Sequence, residues 1–276
     1  MDTNRERIKN MFTYIALAVI ILIADLPFIS MVGTALKKKS ESFSPALLPR
    51  APSLENFAYV LRETIYARYV LNSLVIACTV TLACIVVASV AGYALSRFRS
   101  GFFSFYSILL LILQMFPGVL LLIPLFVIYS KLGMADTHLA VMISYTTINL
   151  PFSIWMLKGY FDTIPFDLEE SGLIDGCSQF RSFYFIILPI SAPGISTVAI
   201  FTFINSWNEY ILASIFLKSS ELKTLTVGLQ LFVQQFSTDW PSLMAASTIA
   251  AVPTIIFLFI AQKYIVEGLT AGAVKG

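Results

Sequence analysis

The sequence predicts an all-α integral membrane protein with six transmembrane helices. Hydrophobic residues make up 58% of the chain, charged residues only 12%, and the mean hydropathy is +0.83, a composition far from that of soluble domains. Six apolar segments are long enough to cross a bilayer core about 30 Å thick, which takes roughly 20 helical residues. These segments run over about 11–35, 70–94, 103–130, 138–158, 194–217 and 243–263. We therefore expect one membrane domain over residues 1–276.

The first span, 11–35, is longer than the 7–15 apolar residues of a secretory signal, so we expect it to be a retained crossing. Asp25 lies midway along it, just before Pro27. Ionisable groups inside spans are costly and usually face protein or water. For Asp25 we favour a polar contact with a neighbouring helix over a place on a solute path.

The second span contains many small residues, and the third contains prolines. The second is rich in small residues such as Ala88 and Gly92, which allow close helix packing. The third carries Pro117-Gly118 and Pro124, and a proline inside a helix removes a backbone hydrogen bond and bends it. We expect a kinked, discontinuous third helix, either bordering a cavity or bent for structural reasons alone.

The fifth span carries a polar stripe. Thr202, Asn205, Ser206 and Glu209 recur at three- and four-residue spacing, so a continuous helix would place them on one face. One interpretation is the lining of a hydrated solute path, and the other is a polar seam against a neighbouring helix. The candidate path residues are Thr202, Asn205, Asn208 and Glu209.

A polar loop over about 159–193 stands out between apolar spans. Pro165 suits the start of a short helix, whose first turn carries acidic residues that the helix dipole favours. These are Asp167, Glu169 and Glu170. Gly176 supplies a left-handed helix stop, and Ser178 can cap a second helix. The sequence thus predicts two short helices hinged at a glycine.

The apolar side chains of this loop suggest a partner in water. Leu173 and Ile174 could fill a groove on a separate soluble protein. The alternative is an amphipathic hairpin on the membrane surface, which the acidic residues disfavour because anionic headgroups repel them.

Catalysis by this chain is not expected. His138 is the only histidine, which excludes paired-histidine zinc motifs. The chain also lacks a GxxxxGK[ST] phosphate loop. If transport uses ATP, another chain binds it.

Charge does not set the orientation of the chain in the membrane. With both termini inside, lysines and arginines divide equally between inner and outer loops, so the positive-inside rule favours neither orientation.

The polar loop resembles a known motif. Glu170-Ser171-Gly172, Gly176 and Ile186-Ile187-Leu188-Pro189 match the spacing of the EAA motif, E-A-A-x-x-x-G-x9-I-x-L-P, of permease subunits in binding-protein-dependent ABC importers. Further segments resemble the MalG-like carbohydrate branch, namely Ser53-Leu54-Glu55-Asn56-Phe57, Ile123-Pro124-Leu125, Leu150-Pro151-Phe152, Trp207-Asn208-Glu209 and Gly268 to Gly276. Ser171 and Gly172 replace the two alanines, and Gly172 should loosen its helix by about 1 kcal/mol relative to alanine.

This resemblance implies a MetI/MalG-like permease fold with a cytoplasmic coupling helix. The implied partners are a second homologous permease, two ABC ATPases that bind ATP-Mg, an extracellular or periplasmic solute-binding protein and a sugar. Membrane lipid would surround the spans, and no nucleic acid is expected. The permease itself would carry no cofactor and no metal. The residues implied in ATPase coupling are Glu169, Glu170, Ser171, Gly172, Leu173, Asp175 and Gly176.

The resemblance also places the polar loop in the cytoplasm, with both termini inside a bacterial or archaeal cytoplasmic membrane. An ABC importer for amino acids, peptides or phosphate is the main alternative, because such importers share the EAA loop. A secondary transporter generally shows internal repeats, and we find none that is convincing.

Overall fold

The computed structural model describes residues 2–98, 100–233 and 238–273. This part of the chain is helical, with one isolated β-bridge between Val233 and Thr238. The longer helices are α1 Asp2–Ala35, α2 Tyr66–Arg97, α3 Gly101–Met115, α4 Leu122–Lys131, α5 His138–Phe161, α6 Asp167–Ile174, α7 Gln179–Ile190, α8 Ala192–Asn208, α9 Ile211–Phe216 and α10 Trp240–Ala273. Shorter helical turns cover Lys39–Glu41, Glu55–Ala58, Tyr59–Glu63, Gly118–Leu121, Ser220–Leu222, Leu225–Gly228 and Leu229–Phe232.

Among the residues that the structure describes, four helical segments are long and apolar enough to cross a membrane as continuous spans: Asn10–Ala35, Tyr66–Arg97, His138–Phe161 and Trp240–Ile260. They agree with the first, second, fourth and sixth predicted segments. Two bent helix pairs, Gly101–Met115 with Gly118–Lys131 and Gln179–Ile190 with Ala192–Asn208, raise the count to as many as six. The all-helical membrane architecture is therefore confirmed.

The third span breaks where the sequence predicts a kink. The two halves are bent by 90°, and Phe116 before Pro117 has an extended backbone (φ −76°, ψ 127°). A residue before proline avoids the helical region for steric reasons. The prediction for Pro124 is wrong, because this proline lies in the first turn of α4, where the helix leaves backbone N–H groups without internal partners.

The fifth span is also interrupted, at a position that the sequence does not signal. α8 ends at Asn208, and Glu209 is extended (φ −70°, ψ 129°) before α9 begins at Ile211. The expectation of one helix over 194–217 is therefore wrong. The carboxylate of Glu209 accepts hydrogen bonds from backbone N–H groups of the next helix and stabilises the break.

The chain divides into two compact units. The first comprises Met1–Ala67 with Leu229–Ala251. Within it the buried amide of Asn56 donates to the Ala35 and Lys37 carbonyls at 2.8 and 2.7 Å. The first bond satisfies the last carbonyl of α1, which the helix cannot pair internally, and the second satisfies a carbonyl in the turn that follows.

The second unit comprises Arg68–Gly228 with Val252–Gly276. One core cluster includes Ile76, Tyr145 and Phe216 from α2, α5 and α9. A second cluster lies beneath the polar loop and comprises Ala88, Tyr93, Leu95, Leu110, Ile154, Leu157, Phe161, Ile164, Phe183, Ile187 and Val198.

Gly92 shows why α2 is rich in small residues. A Cβ atom there would lie 3.0 Å from the backbone nitrogen of Lys158 and 3.2 Å from the carbonyl oxygen of Ile154. The backbones of α2 and α5 therefore approach closely, which confirms the predicted packing surface.

Candidate functional site

The polar loop folds as two short helices, as predicted. α6 begins at Asp167, two residues after Pro165, so the proline precedes the helix instead of occupying its first turn. The first turn of α6 carries Asp167, Glu169 and Glu170, whose negative charge complements the positive end of the helix dipole.

Gly176 ends α6 in the left-handed conformation, with φ +88°. The Cys177 N–H donates to the Gly172 carbonyl at 2.9 Å, and the Gly176 N–H donates to the Leu173 carbonyl at 3.1 Å. This pair of bonds is the Schellman arrangement, which satisfies the last carbonyls of a helix. The predicted glycine stop is confirmed.

Ser178 caps the second helix. Its side-chain oxygen accepts a hydrogen bond from the Arg181 N–H at 3.4 Å, and its backbone is extended. α7 begins at the next residue, Gln179. The predicted cap is confirmed.

Gly172 lies where α6 packs against α7. A Cβ atom on this glycine would lie 2.6 Å from Cδ1 of Ile186 and 3.5 Å from Oγ of Ser182. Glycine is an unfavourable residue for a helix interior, but here it allows the two helices to approach closely.

Glu169 is buried and holds α6 against α2. Its carboxylate accepts a hydrogen bond from Nε of Arg97 and another, at 2.6 Å, from the hydroxyl of Tyr93. The side chains of Arg97 and Glu169 are only 3% and 10% exposed. Removing one partner from a buried ion pair leaves an uncompensated charge and is strongly destabilising. Glu169 thus anchors the first helix of the polar loop.

Arg97 also connects the end of α5 to this anchor. Its guanidinium donates to the carbonyls of Phe161 at 3.0 Å and Ile164 at 3.2 Å. It lies over the ring of Phe166, 4.4 Å from the centroid, in a cation–π contact. One side chain therefore joins α2, the end of α5 and α6.

Arg97 is not among the site residues predicted from the sequence. Its partner Glu169 is 72 residues away, beyond the range of any helical periodicity. The sequence shows only that an arginine ends an apolar span and that a distant loop is acidic. This pattern does not specify which acidic residue pairs with Arg97.

The remaining candidate coupling residues lie at the surface. Glu170, Ser171, Leu173, Asp175 and Gly176 are exposed. Ile174 is 85% exposed. The predicted set therefore divides into two buried residues, which hold the loop together, and five surface residues available to a partner.

The polar stripe on α8 pairs with α5. Thr202 is fully buried, with its Oγ1 3.3 Å from Oγ of Ser153. The Asn205 amide donates to the side-chain oxygen of Asn149 at 3.3 Å. These contacts form a polar seam between two helices, one of the two interpretations of the stripe.

Glu209 does not share the helix face of Thr202, because α8 ends one residue before it. Its carboxylate accepts hydrogen bonds from the Tyr145 hydroxyl at 2.6 Å and from the N–H groups of Leu212 and Ala213 at 2.9 and 3.2 Å. The side chain thereby satisfies N–H groups in the first turn of α9, which lack partners within that helix.

Among the described residues, Asn208 makes no side-chain hydrogen bond with another helix. It is exposed, and its amide donates only to the Ile204 carbonyl of its own helix, at 3.0 Å. Asn205 is also exposed at the helix surface. A place for Thr202, Asn205, Asn208 and Glu209 on a solute path stays a prediction.

Residues 84–270 match the family described as "Binding-protein-dependent transport system inner membrane component". The chain belongs to this family. The matched segment of this permease-family member includes Arg97, the polar loop, α8 and α9.

Individual relatives agree with the family assignment. The permease is 36% identical to the inner membrane ABC transporter permease protein YcjP of Escherichia coli strain K12, over 100% of both chains. It is 36% identical to the trehalose/maltose transport system permease protein MalG of Thermococcus litoralis, over 98% of this chain and 99% of the relative.

A solved structure shows the same fold. One chain of a bacterial ABC transporter involved in import of the acidic polysaccharide alginate superposes with a TM-score of 0.83. The two chains are 20% identical, and the match covers 94% of this chain and 97% of that chain. The permease is thus a multi-pass membrane protein of the ABC importer fold.

Proposed function

We propose that this permease is the transmembrane subunit through which an ATP-driven importer takes up a sugar or oligosaccharide. This proposal rests on how the polar loop is held and on what it exposes. Its first helix is fixed by the buried Arg97–Glu169 ion pair, while Leu173 and Ile174, in the last turn of the same helix, stay exposed. A rigidly held helix with a free apolar face is suited to receive force from a soluble subunit.

The partners follow from this role. A second homologous permease would complete the pathway, two ABC ATPases would bind ATP-Mg and engage the two polar loops, and an extracytoplasmic binding protein would deliver the solute. The family description, which names dependence on a binding protein, supports this assembly. Hydrolysis would belong to the ATPases, and the permease would carry no cofactor.

The contacts of Arg97 suggest how force would spread from the loop. Displacement of α6 acts on Glu169, and Arg97 connects Glu169 to α2 and to the Phe161 and Ile164 carbonyls at the end of α5. Closure of the ATPases would therefore move α2 and α5 together with the loop. Such a movement would switch the pathway between inward-open and outward-open states.

The orientation follows from the same assignment. An ATPase that engages the polar loop must share its compartment, so the loop and both termini would lie in the cytoplasm. The membrane would be the cytoplasmic membrane of a bacterium or archaeon.

The proposed substrate class is a carbohydrate. The named trehalose/maltose permease of Thermococcus litoralis and the alginate importer support it. An ABC importer for another solute class is the alternative.

Uptake assays on a strain lacking this gene test both the importer assignment and the carbohydrate assignment. We expect loss of ATP-dependent uptake of one labelled saccharide in a panel that also includes amino acids and phosphate, with recovery from a plasmid copy. Loss confined to an amino acid or phosphate would overturn the carbohydrate assignment alone. Purification of the permease as an active transporter without any ATPase would overturn the importer assignment.

A further inference from the structure

A cavity of about 420 Å³ lies within the first unit, where α1 ends. Its walls come from the last two turns of α1, the loop after it and the start of α10. The residues that line it are Ser30, Thr34, Lys37, Ser42, Phe43, Ser44, Pro45, Ala46, Leu47, Trp240 and Met244.

The loop wall of this cavity is held close to α1. A Cβ atom on Gly33 would lie 2.2 Å from the carbonyl oxygen of Leu47. Because only glycine permits this approach, the loop packs directly against the helix and fixes one wall of the cavity.

Lys37 is the notable group in the cavity. The residue is 3% exposed, and its ammonium donates to the Ser44 carbonyl at 2.9 Å. No carboxylate of the described residues lies within 4.0 Å of this ammonium. Burying an ammonium without a counter-charge is costly, so the site as built favours an anion.

Two acidic residues adjacent in sequence to residues that line the cavity have other partners. Glu41 accepts the Arg50 N–H at 3.2 Å. Asp239 accepts hydrogen bonds from Ser242 and lies 4.0 Å from the ammonium of Lys39. Neither supplies the missing charge for Lys37.

The cavity also has hydrogen-bond donors beside Lys37. Ser30 and Thr34 line it with hydroxyls, and Trp240 carries an indole N–H; the described part of the chain shows no hydrogen-bond partner for these three side chains. An ammonium with spare donors, two hydroxyls and an indole N–H match the several acceptor oxygens of a phosphate group.

The surroundings indicate where such a phosphate would come from. Ser30 and Thr34 lie at the end of an apolar spanning segment, Asn10–Ala35, and therefore at the level of lipid headgroups. Phe43, which is 89% exposed, and Leu47 add apolar surface beside the donors.

We propose that this cavity binds the phosphate group of a phospholipid from the leaflet in which α1 ends. The phosphate pairs with Lys37 and accepts hydrogen bonds from Ser30 and Thr34, while the acyl chains lie along α1. The site does not depend on the proposed transport function or on which face of the membrane is cytoplasmic.

Thermal unfolding of the detergent-purified permease tests this site. The probes are dihexanoyl phosphatidylglycerol, dihexanoylglycerol without phosphate, and inorganic phosphate. We expect the phosphatidylglycerol to raise the Tm of the native chain and of Lys38→Met, which removes an exposed neighbouring charge. For Lys37→Met the apparent affinity should fall at least about tenfold, as expected for a lost hydrogen bond to a charged group.

Three outcomes would overturn the proposal. The first is an equal rise in Tm of Lys37→Met and Lys38→Met with dihexanoyl phosphatidylglycerol. The second is a rise in the Tm of the native chain with dihexanoylglycerol as large as that with the phosphatidylglycerol. The third is an equally large rise with inorganic phosphate alone, which would identify a free anion as the ligand. Should Lys37→Met fail to fold, Thr34→Val keeps the charge and removes one donor. Its affinity for the phosphatidylglycerol should also fall, and an unchanged affinity would contradict the site.

Discussion

Glu169 and Glu170 are adjacent acidic residues with opposite surroundings. Glu169 is buried against Arg97 and Tyr93, whereas Glu170 is exposed. The family resemblance implies both in ATPase coupling, but only Glu170 is exposed to a partner. Glu169 would contribute by holding the helix that carries Glu170.

Glutamine at each of the two positions should separate these roles. Glu169→Gln leaves the Arg97 guanidinium buried without a counter-charge, and we expect a loss of about 3 kcal/mol in permease stability. Glu170→Gln should change stability by less than about 0.5 kcal/mol yet weaken ATPase association. Thermal unfolding of the isolated permease, followed by ATPase co-purification, measures both. Equal stability of the two variants would contradict the anchoring role of Glu169.

Gly172 lies at the contact between α6 and α7, so substitutions there test how closely the two helices pack. Gly172→Ala gains about 1 kcal/mol of helix propensity, which offsets the small movement of the flexible Ile186 side chain, so we expect little net change. Gly172→Leu should lose about 1–3 kcal/mol through overpacking between α6 and α7. Unfolding of the two purified variants tests this, and a Leu variant as stable as the Ala variant would show that the helices do not pack here.

Gly176 controls the hinge between the two helices of the polar loop. Its φ of +88° disfavours any residue with a Cβ atom, so Gly176→Ala should cost about 1 kcal/mol. Gly159 provides a control, since it lies in α5 and has open space around its Cβ position. Gly159→Ala should therefore be neutral or stabilising in the same unfolding assay. Destabilisation by both variants to the same extent would argue against a special backbone at the hinge.

Glu209 stabilises the break between α8 and α9. Glu209→Leu removes the acceptor for Tyr145, Leu212 and Ala213, and we expect a loss of about 2 kcal/mol from the lost cap and hydrogen bond. Asn208→Leu changes an exposed neighbour and should be nearly neutral. Unfolding and uptake are measured on both variants. Unchanged stability of Glu209→Leu with lost uptake would instead favour a direct contact of Glu209 with the solute.

The elements that the sequence predicted well are those with local causes. The kink at Pro117, the stop at Gly176 and the cap at Ser178 each follow from the backbone chemistry of one residue. The break at Glu209 has no glycine or proline to mark it, and the Glu209 carboxylate that stabilises it also accepts a hydrogen bond from Tyr145, 64 residues away. The pairing of Arg97 with Glu169 is equally remote, so neither feature could be derived from periodicity.

At the scale of the whole molecule, we propose that the polar loop is the point where force from the ATPases enters the permease. The loop is connected to α2 and α5 through Arg97, and its exposed side carries Leu173 and Ile174. A partner that engages this side would act on α2 and α5 through one ion pair. Coupling should therefore be more sensitive to changes in the loop than to changes elsewhere on the surface.

The most direct test is photo-crosslinking from Ile174 in the membrane of the native host. We expect a photoreactive phenylalanine analogue at this position, which is 85% exposed, to form an adduct with the ATPase whose yield changes with bound nucleotide. The same analogue at Phe43, also strongly exposed but in the loop after α1, should form none. An ATPase adduct from Phe43 and none from Ile174 would contradict the central claim.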